Sequence, residues 1–220
     1  MFKFSNLAGV PNRESMSSNN KFEKVRTFYQ QLLPSMNEES WAITESVLSV
    51  RSFRKGDFIV REGSVCNYVS YLNHGLVRMY YHVDGKDKII SFCNEGNYIS
   101  DYQSFLTRRP ALTFIQALED TEVVDTSFDD LQMLYKRVPE SNIIGRLIAE
   151  QIFLEMCNGS NSEAKETILQ RYTNLIISQP WLLQRVPQYM IASYLGITPE
   201  ALSRIKSRFS KQRQPKELVM

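Results

Sequence analysis

Long apolar runs, clustered cysteines and histidines are all scarce in this 220-residue chain. No stretch approaches the roughly 18 consecutive apolar residues that mark a membrane-spanning helix. The opening segment, MFKFSNLAGVPNRESMSSNN, lacks the apolar centre of a secretory signal. Residues 1–20 are therefore expected to be a mobile tail, the location cytoplasmic, and a membrane no partner. The three cysteines, Cys66, Cys93 and Cys157, stand 27 and 64 residues apart, outside any metal-ligand or redox spacing. They are expected to be buried, reduced thiols rather than disulfides. His74 and His82 are the only histidines and sit in no ligand motif, so no metal site is expected. A phosphate-cradling glycine loop and a nucleophile-and-base motif are also missing. No catalytic residue is assigned, no cofactor is expected, and the chain is not read as an enzyme.

What remains is an ordinary globular composition, 43% hydrophobic and 23% charged. The net charge of +2 conceals an asymmetry. From Glu163 onward there are nine Lys and Arg against four acids, and the rest of the chain holds 17 against 20. A basic C-terminal unit facing a polyanion, behind a near-neutral N-terminal unit, fits that division.

The pattern of residues gives the organisation. Phe22, Val25, Phe28, Tyr29, Leu32 and Leu33 recur at helical spacing until Pro34, and Asn37 is placed to cap a second helix. Between Arg51 and Phe128, short runs rich in Val, Ile, Tyr and Phe are punctuated by glycines about ten residues apart. That rhythm predicts an antiparallel β-roll or barrel, with Asp84-Gly85 as a hairpin turn. Helical spacing returns near Asp129. Beyond Pro139 the apolar residues cover more than half a helix circumference, so that helix is buried on two sides. It forms either a dimer seam, with Ile144, Leu147, Ile148, Gln151 and Leu154 as seam residues, or a fully buried intramolecular helix. Asn158 to Ser162 is read as a break, with a further helix from about Glu163 to Ser178. The expected division is thus a domain over 21–158, including the long helix from about 139, and a second over 159–220.

Residues 188–209 read QYMIASYLGITPEALSRIKSRF. The spacing of Gln188, Ala192 and Gly196 suits a tight helix-turn-helix: Ala192 permits close helix approach and Gly196 a positive φ. Thr198 is a natural N-cap, Pro199 suits the first helical position, and Glu200 lies where the helix dipole favours an acid. Glu200 and Arg204, four apart, share a face. A carboxylate accepts from cytosine N4, and a guanidinium forks onto guanine O6 and N7. As an isolated pair they would equally form a surface ion pair; the surrounding spacing and the basic tail select DNA reading. Glu200, Ser203 and Arg204 are the expected base contacts, and Thr198, Lys206, Arg208 and Lys211 the expected phosphate contacts.

On these residues the chain resembles the catabolite activator protein / FNR superfamily of bacterial transcription regulators. The resemblance runs from about Phe22 to Phe209. Its strongest segment is Gly196-Ile-Thr-Pro-Glu200-Ala-Leu-Ser203-Arg204, supported by Arg54-Lys-Gly-Asp-Phe-Ile-Val-Arg-Glu-Gly63 and Leu72-Asn-His-Gly75-Leu-Val-Arg78. It implies an α+β fold: a cyclic-nucleotide-binding-like β-roll with flanking helices, a long dimerisation helix and a C-terminal winged helix-turn-helix. It also implies a homodimer on palindromic double-stranded DNA, with RNA polymerase as a partner. Pro199 departs from the family, many of whose members carry Arg or another polar residue there.

Members that bind cyclic AMP hold its phosphate and ribose with Gly-Glu followed about ten residues later by Arg-Ser. Here Ser100-Asp101 and Ala111-Leu112 stand in those places. A phosphate facing Ala and Leu loses its charge-assisted partner. Arg108 and Arg109 are near, but Arg109-Pro110 reads as an exposed turn. The pocket of Ser100, Asp101, Arg108, Arg109, Ala111 and Leu112 is thus expected to be degenerate and blind to cyclic AMP. A regulator gated by a cyclic nucleotide or another small molecule in a remodelled pocket is the alternative. Tyr80, Tyr81, Tyr98, Tyr102, Phe105 and Phe114 are expected to be core rather than a ligand cavity.

Overall fold

A computed structural model describes residues 21–213, with the side chains of 155–164 and 210–213 outside the description. The expected tail over 1–20 lies outside the described residues. Helices α1 (Glu23–Leu32) and α2 (Glu38–Glu45) come first. Asn37 caps α2 as expected, its side chain accepting from the Ser40 amide at 2.8 Å.

Among the described residues, eight strands then form two four-stranded antiparallel sheets. In the first, β1 (Ser49–Phe53), β8 (Thr121–Ser127), β3 (Tyr68–His74) and β6 (Tyr98–Ile99) lie in that order; in the second, β2 (Phe58–Val60), β7 (Phe114–Ala117), β4 (Leu76–Val83) and β5 (Lys86–Asn94). Between β6 and β7 runs a short helix, α3 (Tyr102–Thr107). β4 and β5 turn at Asp84 and Gly85, both at positive φ (50° and 74°), the twist a two-residue hairpin requires. Leu72, Val77, Ile115, Val123 and Phe105 fill the space between the sheets.

After the roll come α4 (Phe128–Arg137) and α5 (Pro139–Lys165), then α6 (Ile168–Ser178), α7 (Leu182–Arg185), α8 (Gln188–Leu195) and α9 (Pro199–Arg213). One expectation needs correction. Helix α5 does not break at Asn158 to Ser162; it continues to Lys165, and α6 begins behind Thr167, whose side chain forms a capping box with Gln170. Asn, Gly and Ser each weaken a helix by at most about 1 kcal/mol, too little to end one that better helix formers extend on both sides. The expected wing has no counterpart among the described elements. From Ile168 to Arg213 the ordered elements are all helices, so no strand among the described residues supplies it. The residues beyond Arg213 lie outside the described residues.

The long helix also divides its faces more sharply than its sequence suggests. Ile144 and Ile148 are buried against Val25, Phe28, Tyr29 and Trp41 from α1 and α2, and against Tyr71 and Val124 of the roll. Ile143 and Leu154 are exposed, with Leu147 and Gln151 half-buried beside them. Of the five seam residues read from sequence, two therefore serve the chain's own core and three lie towards the surface.

The helical C-terminal part is not a separate bead. Leu76, Tyr80, Ile89 and Phe92 of β4 and β5 share one buried cluster with Tyr172, Leu175, Leu182, Val186, Met190, Ile191, Leu195 and Leu202. β5 is the edge of its sheet, and α8 covers it.

Candidate nucleic-acid interface

Helix α8 ends because Gly196 takes the left-handed conformation (φ 70°, ψ 31°). The amides of Gly196 and Ile197 turn back to the carbonyls of Ser193 and Ala192, both at 3.0 Å, which closes the helix end. Ala192 is fully buried, so α8 meets its neighbours through a side chain small enough for close approach. Ile191, Leu195 and Leu202 are buried between α8, α9 and the shared core, each contributing about 2 kcal/mol by removal from water.

Thr198 opens α9. Its hydroxyl accepts from the Ala201 amide at 3.3 Å, and its carbonyl from the Leu202 amide at 3.0 Å. The Glu200 carboxyl is held below the ordinary carboxylate range, first by the Thr198 hydroxyl, then by its own backbone amide and by the charge of Arg204. It is therefore an ionised, acceptor-only group at neutral pH. Helical geometry sets Glu200, Ser203, Arg204, Ser207 and Arg208 within one arc, and all five are exposed. The opposite arc, Leu202, Ile205 and Phe209, packs inward, with Phe209 edge-on to Tyr172 at 5.7 Å.

The three residues expected to read bases are thus brought together on a single open face, with Arg208 beside them. Lys206 lies on the flank, where its ammonium donates to Gln188 Oε1 at 3.0 Å and ties α9 to the start of α8. The Lys211 side chain lies outside the described residues. Two surface groups escaped the sequence reading: Ser207, one turn beyond Ser203, and Tyr189, exposed in the first turn of α8. The 3.6-residue period from Glu200 would have found Ser207. Nothing in the sequence singles out Tyr189.

The segment matching a cyclic-nucleotide pocket is arranged otherwise. Asp101 is buried and caps α3, its Oδ1 accepting from the Ser104 amide at 3.0 Å. Its Oδ2 accepts from the Leu112 and Thr113 amides, both at 3.2 Å, and from the Thr113 hydroxyl at 2.8 Å. The Ala111 amide donates to the Ser64 carbonyl at 2.8 Å. All three amides of Ala111 to Thr113 are therefore engaged within the chain, and a carboxylate already stands where an anion would approach them. Arg108 is turned away: its guanidinium donates to the carbonyls of Cys66 (2.9 Å) and Phe105 (3.2 Å) and to Asn67, and lies over the Phe128 ring. Arg109 is exposed, in the turn expected for it, and Leu112 projects to solvent. Ser100 donates to the Tyr68 carbonyl at 3.1 Å and faces Cys66 at 3.4 Å.

A cavity of about 100 Å³ lies between the sheets beside Arg51, Cys66, Ser70 and Ser100. That is well below the roughly 300–1,000 Å³ of small-molecule sites. Of the aromatics weighed as a ligand lining, Tyr80 and Phe105 are buried in the core, and Tyr98, Tyr102 and Phe114 are half-buried against it. Tyr81 alone is exposed among them. Cys66 and Cys93 are buried, and Cys157 lies outside the described side chains. Among the described residues no group of three or more His, Cys, Asp or Glu is placed to hold a metal ion, and no helix is long and apolar enough to cross a membrane.

Comparison with known proteins adds an independent line. Residues 50–138 match the family model of the cyclic nucleotide-binding domain. The chain is similar to an anaerobic regulatory protein of Haemophilus influenzae, 23% identical over 189 residues that cover 80% of this chain and 73% of that one. It is also similar in structure to CLP, the c-di-GMP-responsive global regulator of Xanthomonas campestris, with a TM-score of 0.64 and 14% identity over 80% of this chain and 93% of that one. A CooA variant from Carboxydothermus hydrogenoformans gives a TM-score of 0.63 and 17% identity, over 89% and 86%. At such identities the structural likeness speaks for the fold, roll and helical unit together.

Proposed function

We propose that this chain belongs to the catabolite activator protein / FNR superfamily, which it resembles in sequence and fold, and is a dimeric transcription regulator that reads duplex DNA and does not respond to cyclic AMP. The observation that carries the reading is the outward face of α9. Glu200, Ser203 and Arg204 stand there together and exposed, on a helix whose other face is locked into the core. In a major groove, Arg204 forks onto a guanine, the ionised Glu200 accepts from a cytosine, and Ser203 reaches a base or phosphate. Thr198, Lys206, Arg208 and Lys211 contact phosphates and supply the salt-dependent part of the affinity.

Two copies joined along α5, through Leu147, Gln151 and Leu154 with Ile143 beside them, would set two α9 helices in successive major grooves about 34 Å apart on a palindrome. A promoter-bound dimer of this kind has RNA polymerase as its natural partner. The insensitivity to cyclic AMP follows from the Asp101 carboxylate: a phosphate must displace it from three donors, while the neighbouring Arg108 guanidinium is already committed to Cys66, Phe105 and Asn67.

The test is selection from random duplex DNA followed by sequencing, with and without cyclic AMP. The expected result is one palindromic site enriched equally in both arms. Enrichment only with the nucleotide would favour a ligand-gated regulator, and no enriched palindrome in either arm would reject the reading.

A further inference from the structure

Arg185 is the last residue of α7 and stands three positions ahead of the first residue of α8. Its guanidinium makes four hydrogen bonds to two carboxylates of the β-roll. Nη1 and Nη2 donate to the two oxygens of Glu95, both at 2.9 Å, and Nε and Nη2 to those of Glu119, at 3.0 and 2.6 Å. Glu95 belongs to the turn between β5 and β6, and Glu119 to the turn between β7 and β8. A planar fork held by two carboxylates from different turns is fixed in position and in plane, which no ammonium could reproduce.

The floor beneath this clamp is stiff. Glu95 also accepts from the Gly75 amide at 3.0 Å. Gly75 sits at φ +104°, and a Cβ there would run into Thr121 and the backbone of Asp120. A second anchor lies eight residues further on. The Ser193 hydroxyl donates to the Asp87 carbonyl at 2.8 Å and accepts from the Ile89 amide at 3.3 Å, joining the middle of α8 to the edge strand β5. Tyr194 meets Phe92 of the same strand, ring to ring at 5.7 Å.

The apolar core under α6 to α9 holds the helical unit onto the roll, but the driving force for burial is itself non-directional. Direction comes from the polar anchors. The base-reading face of α9 stays open while they are made, so the contact presents that face rather than hiding it.

We propose that Arg185, held by Glu95 and Glu119, is a positioning residue: it fixes the angle at which each protomer presents α8 and α9, and with it the half-site spacing the dimer accepts. The inference rests on the DNA-reading function proposed above. Its experiment begins with the wild-type full-length chain on its selected palindrome, then on palindromes with half-sites moved by one or two base pairs. Each step displaces a half-site by about 3.4 Å along the duplex. The wild type is expected to lose affinity steeply with each step.

Arg185→Ala is expected to bind the parent palindrome about tenfold more weakly and to vary by less than about threefold across the series, because a loose helix pair no longer sets one effective concentration for the second half-site. Its affinity for a duplex with one half-site should stay within about twofold of wild type. The double variant Glu95→Gln, Glu119→Gln alters only the roll side and should give the same flattened profile, so the test survives should Arg185→Ala not fold. Arg185→Lys should remain flattened, and Arg185→Glu combined with Glu119→Arg should regain part of the spacing preference. Profiles of the variants parallel to wild type would overturn the positioning role while leaving DNA reading intact. A wild type with no palindrome would remove both.

Discussion

Arg204 shows what one residue can carry. It lies on an exposed helix face with no buried partner, so its removal should leave the fold intact and act on DNA alone. Arg204→Ala is expected to cost about 1–3 kcal/mol in binding and to relax preference at one base pair per half-site. Fluorescence anisotropy on single-base variants of the site checks this, and an unchanged preference would remove Arg204 from the reading set. Gly196 is the complementary case. Its φ of 70° lies in the left-handed region, yet no atom lies within 4 Å of a Cβ built there. Gly196→Ala should thus cost about 1–2 kcal/mol of stability through backbone strain alone, measurable by thermal unfolding, with the base preference unchanged. Both residues were legible in the sequence, because their roles depend on spacing and local conformation. Arg185 was not. Its partners, Glu95 and Glu119, lie 90 and 66 positions away, and no local pattern announces a pair made across the fold.

Among the elements, α5 shows where periodicity stops informing. Its apolar residues cover a wide arc, and the sequence left open whether they serve a dimer or an intramolecular core. The fold divides the arc: Ile144 and Ile148 rest on α1, α2 and the roll, while Leu147 and Leu154 remain towards the surface. Leu147→Asp with Leu154→Asp is therefore expected to yield a folded monomer in sedimentation, since neither side chain belongs to the buried core. A dimer surviving that pair of charges would place the seam elsewhere. Gly145 carries a similar lesson: inside a helix it looks like a flaw, yet a Cβ there would collide with the Tyr135 ring of α4. The break read at Asn158 to Ser162 came from composition, and helix continuity overrode it. The strands, by contrast, were visible as a class because glycine turns and β-branched runs recur at strand spacing, and the two-sheet order was not, since pairing is non-local.

At the scale of the whole molecule, the joint between roll and helical unit has a predictable pH response. Burial alone would raise the Glu95 carboxyl; the hydrogen bond from Arg185, its own backbone amide, the Gly75 amide and the Arg185 charge outweigh that and hold it below its usual value. A carboxylate depressed in the folded state contributes stability above its unfolded pKa and loses it as pH falls through the folded one. His74 also faces Glu95, at 3.9 Å, and stays largely exposed. The melting-temperature gap between wild type and Glu95→Gln should therefore be present and flat from about pH 6.5 to 8 and close in acid, below the ordinary carboxylate range. A gap that persists unchanged into acid would show that Glu95 acts through packing rather than charge.

The sequence alone determined the features that depend on neighbours along the chain: the helix-turn-helix with its capped second helix, the face of α9 that meets solvent, and the hairpin at Asp84-Gly85. Only the tertiary structure decided which donors take the Asp101 carboxylate, which side of α5 is committed to the core, and that α8 is fastened to the edge strand of the roll. The reason is physical. Turn geometry, capping and helical phase are set by residues within about four positions of one another, whereas a carboxylate's partners and a helix's buried face are chosen by whatever the folded chain brings beside them.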